Sequence, residues 1–580
     1  MASEITGNQP DTKWRAAVAA RLMATFQERE NEVFLLLSLL IGALTGLAVV
    51  AFIVLTERVG IRFYPVGGAP WRRIAIPVAG SLAMGFLLYR YFPNARGSGV
   101  PQTKAALFAR EGFISLRTVL GKFFCTATTL ACGIPLGREG PSVQVGAGIA
   151  SVLGRKLGLR QERVKALIPV GAAAAIAAAF NTPMAAVLFA LEEIMGDLNA
   201  PILGSVVLAS ATSWAVLRLV LGNNPLFQVP EYTLVHPLEF GIYALLGIAG
   251  GVISVAFTKL LLGMRRFFLD LPRSTQWWQP VAGGIAVGLM GLFIPQVLGV
   301  GYTYVGSALN GSMALKLMLI LVALKLIGVT VSYASGNAGG IFGPSLFLGA
   351  MLGGAIGTIA HHLLPAYTAT PGAYALVGMG AVFAGIVRVP MTSVLMIFEM
   401  TRDYAVIVPL MIANLTSLYI SQRLQKQPIY EALALQDGIH LPNRGTLHET
   451  ARRTVGQVML TAPEVLSAQT LVRDALEQTR SSQSNTWPVV EKDYFLGILT
   501  KADLERAAAE EQREASLGDV MDIHLFPHVH ADQALYLALE RMSELHLDLL
   551  PVVHRADVHK LMGVVTLKDV LDTYGVSPNV

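Results

Sequence analysis

Three short stretches set glycine beside proline where a helix is about to begin: Gly97-Ser98-Gly99-Val100-Pro101, Gly137-Arg138-Glu139-Gly140-Pro141 and Gly339-Gly340-Ile341-Phe342-Gly343-Pro344. A helix start exposes unpaired backbone N–H groups and the positive end of the helix dipole, and glycine lets a ligand come close to that backbone. One such start alone is equally well read as punctuation between membrane helices. Three together, one of them carrying a carboxylate, point to a shared site for a small anion. The carboxylate is Glu139. Ionised, it competes with a bound anion; protonated, it leaves the site open, which makes it a gate worked by protons. A carboxylate inside a membrane span costs on the order of a few kcal/mol and so marks function by default. The bland alternative is a hydrated helix cap.

Other polar residues divide between chemistry and structure. Glu192 and Glu193 close an apolar helix after Pro183, and two adjacent carboxylates cannot face the same way; one is expected inward and one toward water, as a proton relay or as a solvated helix end. Glu399 ends the matching helix of the second half and is expected to be structural. Tyr430 follows the last apolar run, where a phenol either donates to an anion or anchors at the interface. His361-His362 before Pro365 reads as a solvated loop. Cys125 and Cys132 lie seven apart on one apolar segment, which fits neither a metal pair nor a disulfide framework. Gly349, Gly353 and Gly357 have the spacing of close helix packing. Between Asp270 and Glu399 there is no Asp or Glu, whereas a divalent-cation pathway wants several oxygen ligands. No nucleophile–base set, metal-ligand cluster or phosphate-binding lysine loop stands out, so the chain is not expected to be an enzyme.

These residues need a scaffold, and composition says which kind. The 580 residues are 53% hydrophobic and 14% charged, with mean hydropathy +0.54, where soluble domains are about 25% charged. Charges are sparse from Val33 to Leu424 and return from Gln425 onward. The net charge of +5 comes without a dense basic stripe, which speaks against nucleic acid. Lys13, Arg15, Arg21 and Arg29 precede the first apolar run and predict a cytoplasmic amino end. No cleaved leader is expected after a polar start of this length. Apolar runs are expected at Val33–Leu55, Ile74–Tyr91, Val119–Ile134, Val143–Leu157, Ala166–Ile194, Ile202–Leu221, Phe240–Leu262, Val281–Ile294, Ala314–Tyr333, Ser345–His361, Ala373–Thr401 and Tyr404–Tyr419. Several are too short or too broken to span alone, and broken backbone must be buried in protein or line a cavity.

The chain also repeats itself. Gly137-Arg-Glu-Gly-Pro-Ser142 is matched by Gly339-Gly-Ile-Phe-Gly-Pro-Ser345, and Glu192 and Glu399 each stand nine residues after a proline. Two related halves with interrupted helices place a transporter's binding site between them. In the tail, Val458-Met459, Trp487-Pro-Val-Val490 and Gly497 to Asp503 are answered by Val520-Met521, Leu550-Pro-Val-Val553 and Gly563 to Asp569, with amphipathic stretches such as Ala531–Leu545 between strands.

With these motifs in their order and approximate spacing, and Tyr430 at the end, the chain from Val33 to Tyr430 resembles the CLC chloride channels and chloride/proton exchangers. The tail resembles the paired cystathionine-β-synthase-type (CBS) repeats. The resemblance implies a mostly α, polytopic membrane fold of inverted repeats with broken helices, plus a small cytosolic α/β domain. It implies a homodimer with one pathway per subunit, no required cofactor, and chloride and protons as partners in a lipid bilayer. The anion-binding set it implies is Ser98, Arg138, Glu139, Gly140, Ile341, Phe342 and Tyr430, with Ser98 and Tyr430 offering hydroxyls and the backbone around Ile341 and Phe342 offering amides. Glu139 is the implied gate, and Glu139 and Glu193 carry protons. Ser98 matches the chloride-selective members, and Pro141 with Tyr430 speaks against the fluoride-exporting branch. Val100 and Gly343 depart from the commonest isoleucine and alanine, and Asn337-Ala338 precedes the glycine pair. In the tail Thr500, Asp503, Thr566 and Asp569 match residues that adenine nucleotides contact, and are equally read as helix caps.

The expected organisation is a cytosolic segment at 1–32, a transmembrane domain at 33–430 with halves near 33–221 and 237–425, a linker at 431–454, and CBS repeats at 455–510 and 516–575. The expected function is chloride transport coupled to proton counter-transport in a bacterial inner membrane, both termini cytoplasmic. A passive gated channel of the same fold is the alternative, and a divalent-cation transporter is the weaker one.

Overall fold

The computed structural model of the chain describes residues 30–573 except 66, 199–201, 223–225, 228–231, 233, 440, 442–452, 462, 481, 483, 493, 511, 522–526 and 546. Most of the expected amino-terminal segment, with its four basic residues, and much of the expected linker lie outside the described residues. The chain divides into two compact units, Met1–Leu441 and Pro442–Val580.

The first unit is helical throughout, as lipid requires of a backbone that must satisfy its own hydrogen bonds. Seven helices among the described residues are long and apolar enough to cross a membrane. Two runs of five helices carry the repeat. In the first half these are α1 (Val100–Phe108), α2 (Leu116–Ala131), α3 (Glu139–Lys156), α4 (Gln161–Phe180) and α5 (Pro183–Phe189), the last continued by a π-helical turn over Ala190–Met195. In the second they are α6 (Tyr302–Leu309), α7 (Leu315–Ala334), α8 (Phe342–Leu363), α9 (Pro371–Val387) and α10 (Pro390–Thr401).

Three contacts show that the halves run in opposite directions. Gly137 and Gly340 exchange backbone hydrogen bonds of 2.7 Å each way as an isolated antiparallel bridge, the self-complementary pairing that equivalent residues make across a pseudo-twofold axis. Glu399, at the end of α10, accepts from the N–H groups of Met184 (3.0 Å) and Ala185 (2.7 Å) in the first turn of α5. Glu192, after α5, accepts from Thr392 N (2.9 Å) and Thr392 Oγ1 (2.7 Å) in the first turn of α10. Each half thus caps a helix of the other, satisfying N–H groups that have no intrahelical partner. Glycine permits close packing in both halves: Gly146 of α3 lies on the backbone of Gly171 in α4, and Gly349 of α8 on that of Gly378 in α9.

The runs Ala166–Ile194 and Ala373–Thr401 are each broken at their proline; Asn181 (φ +60°) and Arg388 (φ +66°) turn left-handed and end α4 and α9, because the prolines that follow cannot continue the hydrogen-bond ladder. Two expectations are corrected. His361 and His362 form the last turn of α8 rather than a loop. Glu192 does not simply face water, since it is engaged on Thr392. After Ile407–Leu424, a further helix α11 (Ile429–Gln436) carries Tyr430.

The second unit contains two three-stranded sheets, each with one parallel and one antiparallel pairing. In the first, β1 (Leu466–Ser467) pairs parallel with β2 (Thr486–Glu491), which pairs antiparallel with β3 (Tyr494–Thr500). In the second, β4 (Val529–His530), β5 (Leu549–His554) and β6 (Asp557–Thr566) repeat that order. Val489 and Leu499 centre one core, Val552 and Val565 the other.

Candidate functional site

The three glycine–proline turns meet. Gly99 caps α1 at φ +104°, and a Cβ there would run into the backbone of Gly140 and Pro141; only glycine satisfies both demands. The Gly137–Gly340 bridge brings in the third turn. The starts of α1, α3 and α8 therefore converge on one place. A buried lysine pins the approach in each half. Lys122 on α2 donates to Ala95 O (2.9 Å) and Gly97 O (2.6 Å), just ahead of Ser98. Lys325 on α7 donates to Val297 O (3.1 Å) and Gly299 O (2.6 Å), just ahead of Tyr302. Both are fully buried, and the carbonyls supply what a buried ammonium needs.

Glu139 is fully buried at the start of α3. Its Oε2 accepts from the Gly343 N–H at 3.1 Å, and its Oε1 accepts from the Tyr302 hydroxyl. The carboxylate occupies a cradle of one backbone amide and one phenol, groups that bind any small anion. The Arg138 guanidinium is engaged elsewhere: it is 3.6 Å from Glu57 and lies over the Tyr302 ring at 5.3 Å. Ile341 and Phe342 are buried, with the Phe342 ring packed against Phe180, Phe189 and Phe383 at 4.9, 5.6 and 4.2 Å. The Ser98 N–H donates to the Tyr333 hydroxyl at 3.2 Å. Ser98 Oγ and Tyr430 Oη are both buried, and neither makes a well-formed hydrogen bond to a described protein group. Such an unmade bond costs about 1–3 kcal/mol. Tyr430 is 1% exposed and not an interfacial anchor; α11 packs on α1.

A buried charge cluster joins α1, the turn after α5 and α11. Lys104 Nζ of α1 is 3.0 Å from Glu193 Oε1 and 3.9 Å from Glu431 Oε1, all three side chains being under a tenth exposed. In the tail, the two Thr–Asp pairs are helix caps: Thr500 Oγ1 donates to Asp503 Oδ2 at 2.5 Å and accepts from Asp503 N, and Thr566 and Asp569 repeat the arrangement. Thr500 and Asp503 also line a cavity of about 580 Å³ with Arg506, Glu510 and Asp519; Thr566 and Asp569 do not line it.

The family model described as Voltage gated chloride channel matches residues 79–422, more than half of the chain. The chain belongs to the voltage-gated chloride channel family. CBS domain models match residues 455–510 and 517–575. Among relatives of this voltage-gated chloride channel family member, the H(+)/Cl(-) exchange transporter ClcA of Vibrio campbellii is 33% identical over 62% of this chain and 78% of that protein. The protein of that name from Vibrio vulnificus is 30% identical over 69% and 88%. A solved slow cyanobacterial Cl-/H+ antiporter superposes with TM-score 0.65 at 26% identity, covering 70% of this chain and 97% of its own. A eukaryotic CLC transporter, at 20% identity and TM-score 0.62, shares the fold over 92% of this chain and 97% of its own. The chain is an integral membrane protein of the CLC fold.

In this voltage-gated chloride channel family member, sequence reasoning missed Tyr302, Lys104, Glu431, Lys122 and Lys325. The lysines carried a usable signal. The rule that an ionisable group inside a span is functional applies to ammonium as to carboxylate, and Lys122 and Lys325 each stand fifteen residues before an equivalent glycine.

Proposed function

We propose that this chain exchanges chloride for protons, with Glu139 as the gate and Glu193 as the inner proton carrier. The observation that carries the reading is the pair of buried, unsatisfied hydroxyls of Ser98 and Tyr430 beside a cradle that already holds a carboxylate. An anion between those hydroxyls resolves two unmade hydrogen bonds. A second one takes the Glu139 cradle when that side chain is protonated and leaves, since the Gly343 N–H and the Tyr302 hydroxyl can donate to any small oxyanion or halide. Arg138, Gly140, Ile341 and Phe342 contribute backbone to the same turns. Glu193, tied to Lys104, carries protons to Glu139 in this reading, and Tyr430 lies within electrostatic reach of both carboxylates. The names of the exchange transporters that the chain is similar to support proton coupling over passive conduction.

The proposal extends to a homodimer in a bacterial inner membrane with both termini cytoplasmic, and to the domain boundaries given above. For the tail the capping geometry favours a structural role for Thr500, Asp503, Thr566 and Asp569; adenine nucleotide, titrated calorimetrically into the full chain, is expected to give no saturable heat. The transport reading is tested in liposomes holding the purified protein, with chloride efflux and external pH recorded together. Proton uptake driven by chloride efflux, lost in Glu193→Gln while chloride still moves, is the expected result. Chloride flux without proton movement in the native protein makes it a channel and contradicts the proposal.

A further inference from the structure

We propose that Tyr302 is a latch on the Glu139 gate and, once the carboxylate has left, a hydroxyl ligand for the anion that replaces it. The inference rests on the reading of Glu139 as the gate and goes beyond it by naming what holds the gate shut.

The two oxygens of Glu139 have different partners. One takes the Gly343 N–H at the start of α8, and the other takes the phenol of Tyr302, which is 163 residues away in sequence. A phenol donates a stronger hydrogen bond to an ionised carboxylate than to a neutral carboxyl, so Tyr302 grips the charged, closed gate and lets the protonated one go. Its ring is held in place for this. The Arg138 guanidinium lies 5.3 Å over it and Phe227 meets it edge-on at 5.8 Å. The backbone before it is fixed by Gly301 at φ +86° and by the Lys325 ammonium on Val297 and Gly299. Room for the phenol is made by Gly343: a Cβ there would stand 3.0 Å from the Tyr302 hydroxyl and 2.9 Å from Glu139 Oε2. The charged and titratable groups around Glu139 are Tyr302 from α6, Arg138 from its own turn with Glu57 of Glu30–Phe63 behind it, and Tyr430 from α11, while α8 offers the Gly343 amide.

The sign follows. Removing the phenol hydroxyl weakens the closed, ionised state, so the gate yields at a lower proton concentration and the pH profile of transport moves toward higher pH. The same change removes a ligand from the outer anion place, so chloride binds there more weakly.

The test is chloride efflux from liposomes across a pH series for the full chain, Tyr302→Phe and Gly343→Ala, each also on a Glu139→Gln background. For Tyr302→Phe the midpoint is expected to rise by about one pH unit. Gly343→Ala, which keeps the phenol and crowds it off the carboxylate, is expected to shift the midpoint in the same direction by less. Neither substitution is expected to introduce a pH dependence on the Glu139→Gln background. A Tyr302→Phe profile with the native midpoint, whether at full or reduced flux, overturns the latch while leaving Glu139 as the gate. Persistence of the native pH dependence in Glu139→Gln alone overturns the gate reading and the latch with it.

Discussion

The two halves of the membrane unit are alike in the groups that support their broken helices and unlike in the side chains proposed to meet the anion and the proton. Both have a buried lysine fifteen residues before the bridging glycine, a positive-φ glycine ahead of a short helix, and a carboxylate that caps a helix of the opposite half. Aligned on those features, Ser98 corresponds to Val300, Glu139 to Phe342 and Glu193 to Met400. The reason is physical. Inverted halves present the same broken helices to each other, so their orphan N–H and C=O groups need the same partners twice. The proposed pathway has an outer and an inner end with different chemistry at each, so its side-chain ligands need occur only once.

The comparison breaks most sharply at the proposed inner proton carrier. Glu193→Gln is expected to abolish proton uptake while chloride flux survives, and Met400→Gln at the equivalent place to leave the proton-to-chloride ratio at its native value; parallel pH and chloride electrodes read both. A loss of coupling in Met400→Gln would mean that the second half carries protons as well.

Next come the lysines. Lys122→Met and Lys325→Met each leave two or more buried carbonyls without a donor, and each is expected to destabilise the unit by about 2–5 kcal/mol, read as lowered thermal unfolding in detergent. If one substitution is silent, the lysines are not equivalent supports. Glu192→Gln and Glu399→Gln are expected to cost less, about 1–2 kcal/mol each, because an amide oxygen still accepts one of the bonds. Their matched effects would sharpen the case for reciprocal capping. The smallest effect belongs to the tail, where Thr500→Ala and Thr566→Ala are each expected to cost about 1 kcal/mol of helix capping in the same assay.

What the sequence made legible was the part encoded locally. Glycine and proline around Ser98, Glu139 and Phe342 announce three helix starts before any contact is known, and the nine-residue spacing from proline to Glu192 and Glu399 reveals the repeat. The partners were hidden because they are made by packing. Tyr302 reads as one aromatic among many until α6 is placed beside α3, and Glu431 as a residue past the last span until α11 carries it to Lys104. The breaks near Asn181 and Arg388 are legible only through the proline that follows each, because uniformly apolar flanks give a periodicity that runs through the break.

The most direct test is anomalous diffraction from crystals soaked in bromide, for the native chain and for Glu139→Gln. The account predicts a bromide peak within hydrogen-bond reach of Ser98 Oγ and Tyr430 Oη in both, and a second peak between Gly343 N and Tyr302 Oη only in the variant. Crystals with no peak between those two hydroxyls would contradict it.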